Sequence, residues 1–184
     1  PRISSGATVF TSVAVPPGQV AFTTTPACTG GRKLISNGYD LNPKPGGTAQ
    51  SAMLFADAVG YSQLSEDQIP RYVAGFLGAV ADLSRRTAHR FEHVEVAGDG
   101  LYMVFGDVAA AGHYALELAA LMGGFDRAAC GLPAGFNLRI ALHCGPVHCG
   151  REPITGGPLY TGPHTSRTAR IEPITPPGQV YASS

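Results

Sequence analysis

The stretch SAMLFADAV, residues 51–59, is an apolar run with a single charged residue, Asp57. Its length and the glycine that follows, Gly60, are typical of a buried β-strand. A carboxylate in such a strand costs several kcal/mol unless it is paired or bound to a metal. The stretch therefore predicts a buried strand and raises the question of a chemical role for Asp57.

The segments that follow this strand predict the rest of the fold. Residues 65–87 have apolar residues at helical spacing, with a helix start at Ser65 and Pro70 in the first turn. Four further elements are predicted: a β-hairpin over 91–106, a helix over 107–125, a strand over 136–145, and a short helix with a final strand over 165–183. The order βαββαβ predicts an α+β, ferredoxin-like core, an antiparallel-centred sheet with helices packed on it.

Composition limits the classes of protein to consider. The chain has 184 residues, 44% of them apolar, and a formal net charge of zero, which suits one domain with a real core and argues against a nucleic-acid-binding surface. No apolar run approaches the roughly 20 residues of a membrane span, and the start of the sequence has no signal-peptide pattern. We expect the four cysteines to be reduced thiols and the protein to be cytoplasmic.

The first 50 residues differ from the rest. They are rich in Thr, Ser, Gly and Pro, and residues 41–50 (LNPKPGGTAQ) disfavour helix. We predict an extended arm or linker over 1–50, with one or two strands, and a folded domain over 51–184.

Two aspartates are expected to meet in this fold. Asp57 lies near the end of the first strand, and Asp99 lies at the hairpin turn Gly98-Asp99-Gly100. Two converging carboxylates beside a glycine-rich turn can hold Mg²⁺, which prefers oxygen ligands and leaves positions open for phosphate. The alternative is a turn aspartate beside an unrelated strand aspartate.

Four separated segments carry a resemblance to a known family: MLFADAVGYSQLSED, VAGDGLYMVFGD, NLRIALHCGPVHCG and TSRTARIEPITPPGQVYAS. In their order and spacing they resemble the class III adenylate/guanylate cyclase catalytic domain, in particular a bacterial branch. The resemblance covers residues 52–184 and implies a nucleotidyl cyclase domain from a longer protein.

The resemblance implies a chemical role for each part of the site. Asp57, Asp99 and the main-chain carbonyl of Ala58 would ligate two Mg²⁺ or Mn²⁺ ions, which activate the nucleotide 3′-hydroxyl for in-line attack on the α-phosphate. Pyrophosphate would leave. Main-chain N–H groups at the start of the first helix would bind the triphosphate; these belong to Val59, Gly60, Tyr61 and Ser62.

The last motif implies a two-chain site. Arg170 aligns with the arginine that stabilises the transition state across a dimer interface, so a homodimer with two composite sites is implied. The family has asparagine four residues earlier, where this chain has Ser166. His164 and Arg167 are extra polar groups that either replace the lost ribose or phosphate contact or lie on a solvated helix face.

Two positions read the base in this family, and here they are Glu95 and Thr161. A glutamate only accepts hydrogen bonds and suits the guanine edge, although Glu95 also fits an exposed strand residue. ATP and GTP both remain open as substrates.

The sequence thus favours a cyclase that converts ATP or GTP to its 3′,5′-cyclic monophosphate in intracellular signalling. One alternative is a catalytically degenerate cyclase-homology domain that binds nucleotide or a partner. Another is a ferredoxin-like interaction module without a nucleotide site.

Overall fold

The predicted buried strand is β1 (Gly47–Val59), which lies between β3 and β4 in a six-stranded sheet. The computed structural model describes residues 47–183, so most of the predicted arm lies outside the described residues. Its last residues, 47–50, instead belong to β1, where they pair with residues 146–149 of the neighbouring strand.

The sheet has the strand order β2-β3-β1-β4-β5, with β6 parallel to β4 and the other pairs antiparallel. The other strands are β2 (His93–Ala97), β3 (Gly100–Phe105), β4 (Asn137–Arg151), β5 (Pro158–Thr161) and β6 (Val180–Ala182). The predicted α+β class and the antiparallel-centred sheet are confirmed. The short strand β5 was not predicted.

The first connection is a helix of mixed type. It consists of α1 (Ile69–Arg71), a π-helical segment (Tyr72–Leu77) and α2 (Gly78–Arg86). The predicted start at Ser65 is wrong, because α1 begins only at Ile69 and residues 65–68 form a turn in which the Gln68 N–H donates to the Ser65 carbonyl at 2.9 Å. Pro70 lies in the first helical turn, as predicted.

The second connection is α3 (Val108–Gly124), which begins at an N-cap. The Asp107 carboxylate accepts a hydrogen bond of 2.8 Å from the main-chain N–H of Ala110, which satisfies one of the free donors at the helix start. This helix and the first one cover one face of the sheet.

Side-chain alternation along β1 divides the core between two faces. Leu54, Ala56 and Ala58 belong to the larger cluster beneath α2 and α3. Met53 and Phe55 belong to a smaller cluster on the second face, which also includes Tyr102, Val147, Cys149 and Tyr160.

The last helix, α4 (Pro163–Ile171), lies on this second face. The hydroxyls of Thr165 and Thr168 lie 3.8 and 3.9 Å from the Sδ atom of Met53. Helices therefore cover both faces of the sheet, not one as in a plain ferredoxin-like fold. No helix within residues 47–183 is long and apolar enough to cross a membrane.

Candidate active site

The structure brings Asp57 and Asp99 together at one end of the sheet. Asp57 of β1 stands opposite Gly100 of β3, the residue after Asp99. The main-chain N–H of Ala58 donates a hydrogen bond of 3.1 Å to the Asp99 carbonyl, so the two backbones are in direct contact. Asp57 follows Met53 and Phe55 in alternation and therefore faces the same side as α4.

Burial and the charges of Asp57 and Asp99 raise the pKa values of two neighbouring groups, Tyr72 and Glu172. Burial, Tyr61 and then the two aspartates raise the pKa of the Tyr72 phenol. Burial and Asp57 raise the pKa of Glu172, an effect that Arg139 partly offsets and Asp99 reinforces. The two aspartates are therefore close enough to Tyr72 and Glu172 to disfavour a further negative charge on either group.

Arg139 and Glu172 complete the site, and sequence reasoning missed both. Arg139 of β4 is the cross-strand partner of Asp57, and its Nη2 donates to Asp57 Oδ2 at 2.7 Å. Its Nε lies 2.9 Å from Oε1 of Glu172, the residue that follows α4. The sequence does contain a signal for Arg139, because it is a charged residue inside the apolar strand NLRIAL. Asp57 stands out in its own strand for the same reason.

The carboxylates suit a divalent cation that is shared with a substrate. Among residues 47–183 no group of three or more His, Cys, Asp or Glu side chains is arranged to hold a metal. Mg²⁺ commonly uses one or two carboxylates and completes its shell with water and phosphate. Asp57 and Asp99, whose backbones are in contact, supply two such carboxylates, so the residues present fit such an ion.

The predicted triphosphate loop is a 3₁₀ turn, Tyr61–Gln63, and not the start of an α-helix. The prediction that these residues lie at the N-terminus of the first helix is wrong, because α1 begins only at Ile69. Gly60 has a φ of 90°, which favours glycine. The N–H groups of Gln63 and Leu64 bond within the turn, while the first N–H groups of such a turn, those of Tyr61 and Ser62, have no intrahelical acceptor.

The polar residues of α4 do not share one surface. Ser166, Arg167 and Arg170 are exposed, and Ser166 and Arg170 lie one turn apart on the same side. Arg170 has no hydrogen-bond or ion-pair partner within residues 47–183. By contrast, Nδ1 of His164 lies 2.8 Å from Nε2 of His143, so His164 points toward β4.

The two base-reading candidates lie apart. The Glu95 side chain is 65% exposed and stands opposite Tyr102, on the second face of the sheet. The Tyr102 hydroxyl donates to the carbonyl of Tyr160 at 3.1 Å. Alternation along β5 turns Thr161 away from the face of Tyr160, so the structure does not bring Thr161 to Glu95.

Comparison with known proteins identifies the family. A family model described as the adenylate and guanylate cyclase catalytic domain matches residues 45–184. The chain belongs to this family. A search of curated protein sequences found no match.

Solved cyclase domains share the fold of this cyclase-family chain. The guanylyl cyclase Cya2 is 20% identical over 75% of this chain and 76% of its own, with a TM-score of 0.66. The adenylyl cyclase CyaB from P. aeruginosa is 16% identical over 74% and 78%, with a TM-score of 0.64. The guanylate cyclase domain of RhGC from Catenaria anguillulae, solved with GTP, is 21% identical over 74% and 79%, with a TM-score of 0.60. At these identities the likeness concerns the fold.

Proposed function

We propose that this domain is a nucleotidyl cyclase that converts a purine nucleoside triphosphate, ATP or GTP, to its 3′,5′-cyclic monophosphate and pyrophosphate, as part of a signalling protein. The observation that carries the proposal is the direct contact between the backbones of Asp57 and Asp99 in a chain of the cyclase family. That contact brings the two aspartates to the same end of the sheet, next to the turn Tyr61–Gln63.

The aspartates would hold the cations that this reaction needs. Asp57, Asp99 and the main-chain carbonyl of Ala58 would be the protein ligands. Two bound Mg²⁺ or Mn²⁺ ions would lower the pKa of the ribose 3′-hydroxyl and neutralise charge on the triphosphate. Arg139 supports this arrangement because its hydrogen bond fixes the direction of the Asp57 carboxylate.

The loop after β1 would bind the triphosphate through its backbone. The segment 59–62 carries main-chain N–H groups next to Asp57, and its small residue, Gly60, allows a close approach. The 3′-oxygen would attack the α-phosphate in line, and pyrophosphate would leave on the side of this loop.

Arg170 would act in a partner subunit's site. It is exposed on α4 and pairs with neither aspartate of its own chain, which supports a homodimer in which each α4 lines the other chain's site. A guanidinium in a water-excluded site can stabilise the charge that develops on the α-phosphate by several kcal/mol. Ser166 and Arg167, exposed nearby, are the ribose and phosphate candidates.

The exposed carboxylate of Glu95 supports guanine as the base, because the N1–H and 2-amino groups of guanine are donors. Thr161 remains the second candidate for base recognition. ATP stays the alternative substrate, because a carboxylate can also accept a hydrogen bond from the 6-amino group of adenine.

A nucleotide panel tests the proposal. The 184-residue chain is incubated with Mn²⁺ or Mg²⁺ and separately with ATP, GTP, CTP and UTP, and products are identified by mass spectrometry. We expect cyclic purine nucleotide from ATP or GTP. If no nucleotide gives a product and none binds in a metal-dependent manner, the proposal is wrong.

A catalytically degenerate domain is the second candidate. It is favoured by Ser166, which stands where the family has asparagine and has a shorter side chain than asparagine. Metal-dependent binding of ATP or GTP without any cyclic product would support this alternative.

A further inference from the structure

Two histidines tie the start of α4 to the sheet. Nδ1 of His164, in the first turn of α4, lies 2.8 Å from Nε2 of His143 on β4, which is the distance of a hydrogen bond. His143 is buried, and its other ring nitrogen, Nδ1, is hydrogen-bonded to the hydroxyl of Ser183, the residue after β6. One buried imidazole therefore joins α4 to two strands of the sheet.

A glycine of β4 leaves the space that the His164 ring occupies. A Cβ atom on Gly145 would lie 2.2 Å from Nδ1 of His164 and 2.4 Å from its Cγ, and the third nearest atom also belongs to this ring. A larger residue at 145 would therefore push the imidazole away from His143. The bond between the two histidines thus depends on Gly145.

Two other polar contacts between the first turn of α4 and the sheet are longer. The Thr165 hydroxyl lies 3.3 Å from the Tyr102 hydroxyl and 3.8 Å from the thioether of Met53, which is a weak acceptor. The N-cap of α4 makes no side-chain hydrogen bond to the helix. The bond between His143 and His164 is the shortest of the three contacts, so it does most to fix where α4 begins.

We propose that His164 is a positioning residue for the reaction, because it fixes the start of the helix that carries Ser166 and Arg170. This inference rests on the proposed function. Ser166 and Arg170 are exposed on α4, from where they would reach the partner subunit's site. A shift of the first turn would displace both side chains. His164 thus acts through α4, a role that differs from the ribose or phosphate contact suggested by the sequence.

The protonation state of His143 suits two simultaneous bonds. Burial, His164 and Arg167 lower the pKa of His143 to about 4, so its ring is uncharged at neutral pH. A neutral imidazole has one N–H donor and one acceptor nitrogen. It can therefore bond Ser183 through one nitrogen and His164 through the other without burying a charge.

Two substitutions at His164 separate the bond from the bulk of the ring. Asparagine keeps a polar atom near the place of Nδ1 and should retain the bond, whereas leucine has a similar volume and cannot form it. We expect His164→Leu to lower kcat about tenfold, because a displaced catalytic group is costly, with little change in the KM for nucleotide. His164→Asn should keep most of the wild-type kcat. The control is His148→Leu, the same change at an exposed histidine of β4, which should leave kcat unchanged.

Subunit mixing distinguishes positioning from a general loss of stability. His164→Leu chains mixed with Asp57→Asn chains form dimers with one intact site, because Asp57 and α4 of each site come from different chains. This mixture should regain about a quarter of wild-type turnover. His164→Leu mixed with Arg170→Ala should not recover, since both changes affect α4. If His164→Leu damaged its chain as a whole, neither mixture would recover, which would oppose the proposal.

Gly145→Ala reaches the same bond from the sheet and decides the matter should the His164 variants fail to fold. Its Cβ should displace the His164 ring and lower kcat as His164→Leu does. Combined with His164→Ala it should add no further loss, and a full additional loss would contradict the proposal. An active wild type in which His164→Leu and Gly145→Ala keep full kcat overturns this inference alone. A wild type that forms no cyclic product overturns the proposed function, and this inference with it.

Discussion

At the scale of single residues, the most informative signal in the sequence was a charged residue within an apolar run, Asp57. Asp57 and Asp99 could be placed together because strand order and a hairpin turn already brought them close. Arg139 and Glu172 could not, because their roles depend on the register that sets Asp57 opposite Arg139 and on the fold that returns α4 to β4. Such pairings are set by tertiary structure and leave no local pattern.

Asp57→Asn and Asp99→Asn should each remove turnover while the fold persists. Asparagine at 57 can still accept the Arg139 hydrogen bond, but neither amide replaces a charged metal ligand. We expect kcat to fall at least about a hundredfold, with the melting temperature nearly unchanged. Asp82→Asn, at an exposed aspartate on α2, should retain full activity; unfolding of the site variants would point to a structural role instead.

Glu95→Gln should relax the choice of base. An amide presents a donor as well as an acceptor, so the preference for an all-acceptor contact with guanine is lost. We expect the ratio of kcat/KM for GTP over ATP to fall about tenfold. A ratio that stays constant would exclude Glu95 from base recognition.

At the scale of elements, long apolar patterns were predictable and their ends were not. The strands β1 and β4 both extend beyond their predicted limits because each supplies the other's backbone partners over residues 47–59 and 137–149. The π-helical segment (Tyr72–Leu77) was missed because its apolar spacing is close to that of an α-helix. The four-residue strand β5 is too short to form a pattern of its own.

The π-helical segment supports the turn that carries Asp99. The Tyr72 hydroxyl donates to the carbonyl of Gly98 at 3.1 Å, next to the aspartate. Tyr72→Phe should therefore lower the free energy of unfolding by only about 1 kcal/mol yet lower kcat several-fold, because Asp99 is less firmly placed. Urea unfolding and steady-state kinetics measure the two effects; an unchanged kcat would contradict this role.

His143 should make the fold sensitive to acid. It bonds to His164 of α4 and to the Ser183 hydroxyl, and burial, His164 and Arg167 lower its pKa from 6.5 to about 4. Between pH 6.5 and 4, His143 therefore binds a proton in the unfolded chain but not in the folded chain. The contribution of His143 to stability is full above pH 6.5 and declines as the pH falls toward 4.

Urea midpoints measured from pH 7.5 to 4 test this effect. His143→Gln should flatten the decline in that range, whereas His148→Gln, at an exposed histidine of the same strand, should not. An identical decline in the wild type and both variants would assign the acid sensitivity to other groups.

At the scale of the whole molecule, the order of elements predicted the core sheet, but not where α4 packs. A ferredoxin-like order suggests helices on one face. Here α4 has few apolar residues, and it packs on the other face, where Thr165 and Thr168 contact Met53. This placement leaves Arg170 exposed and without a partner among residues 47–183, which is the reason for proposing that it acts in a second subunit's site.

Subunit mixing tests whether each active site is built from two chains. Asp57→Asn chains and Arg170→Ala chains are each assayed alone and then after they are mixed and allowed to exchange partners. Each should be inactive alone, and the mixture should regain about a quarter of wild-type turnover, since half of the dimers are mixed and each has one intact site. An active wild type with no recovery in the mixture would contradict a composite site built from Asp57 of one chain and Arg170 of the other.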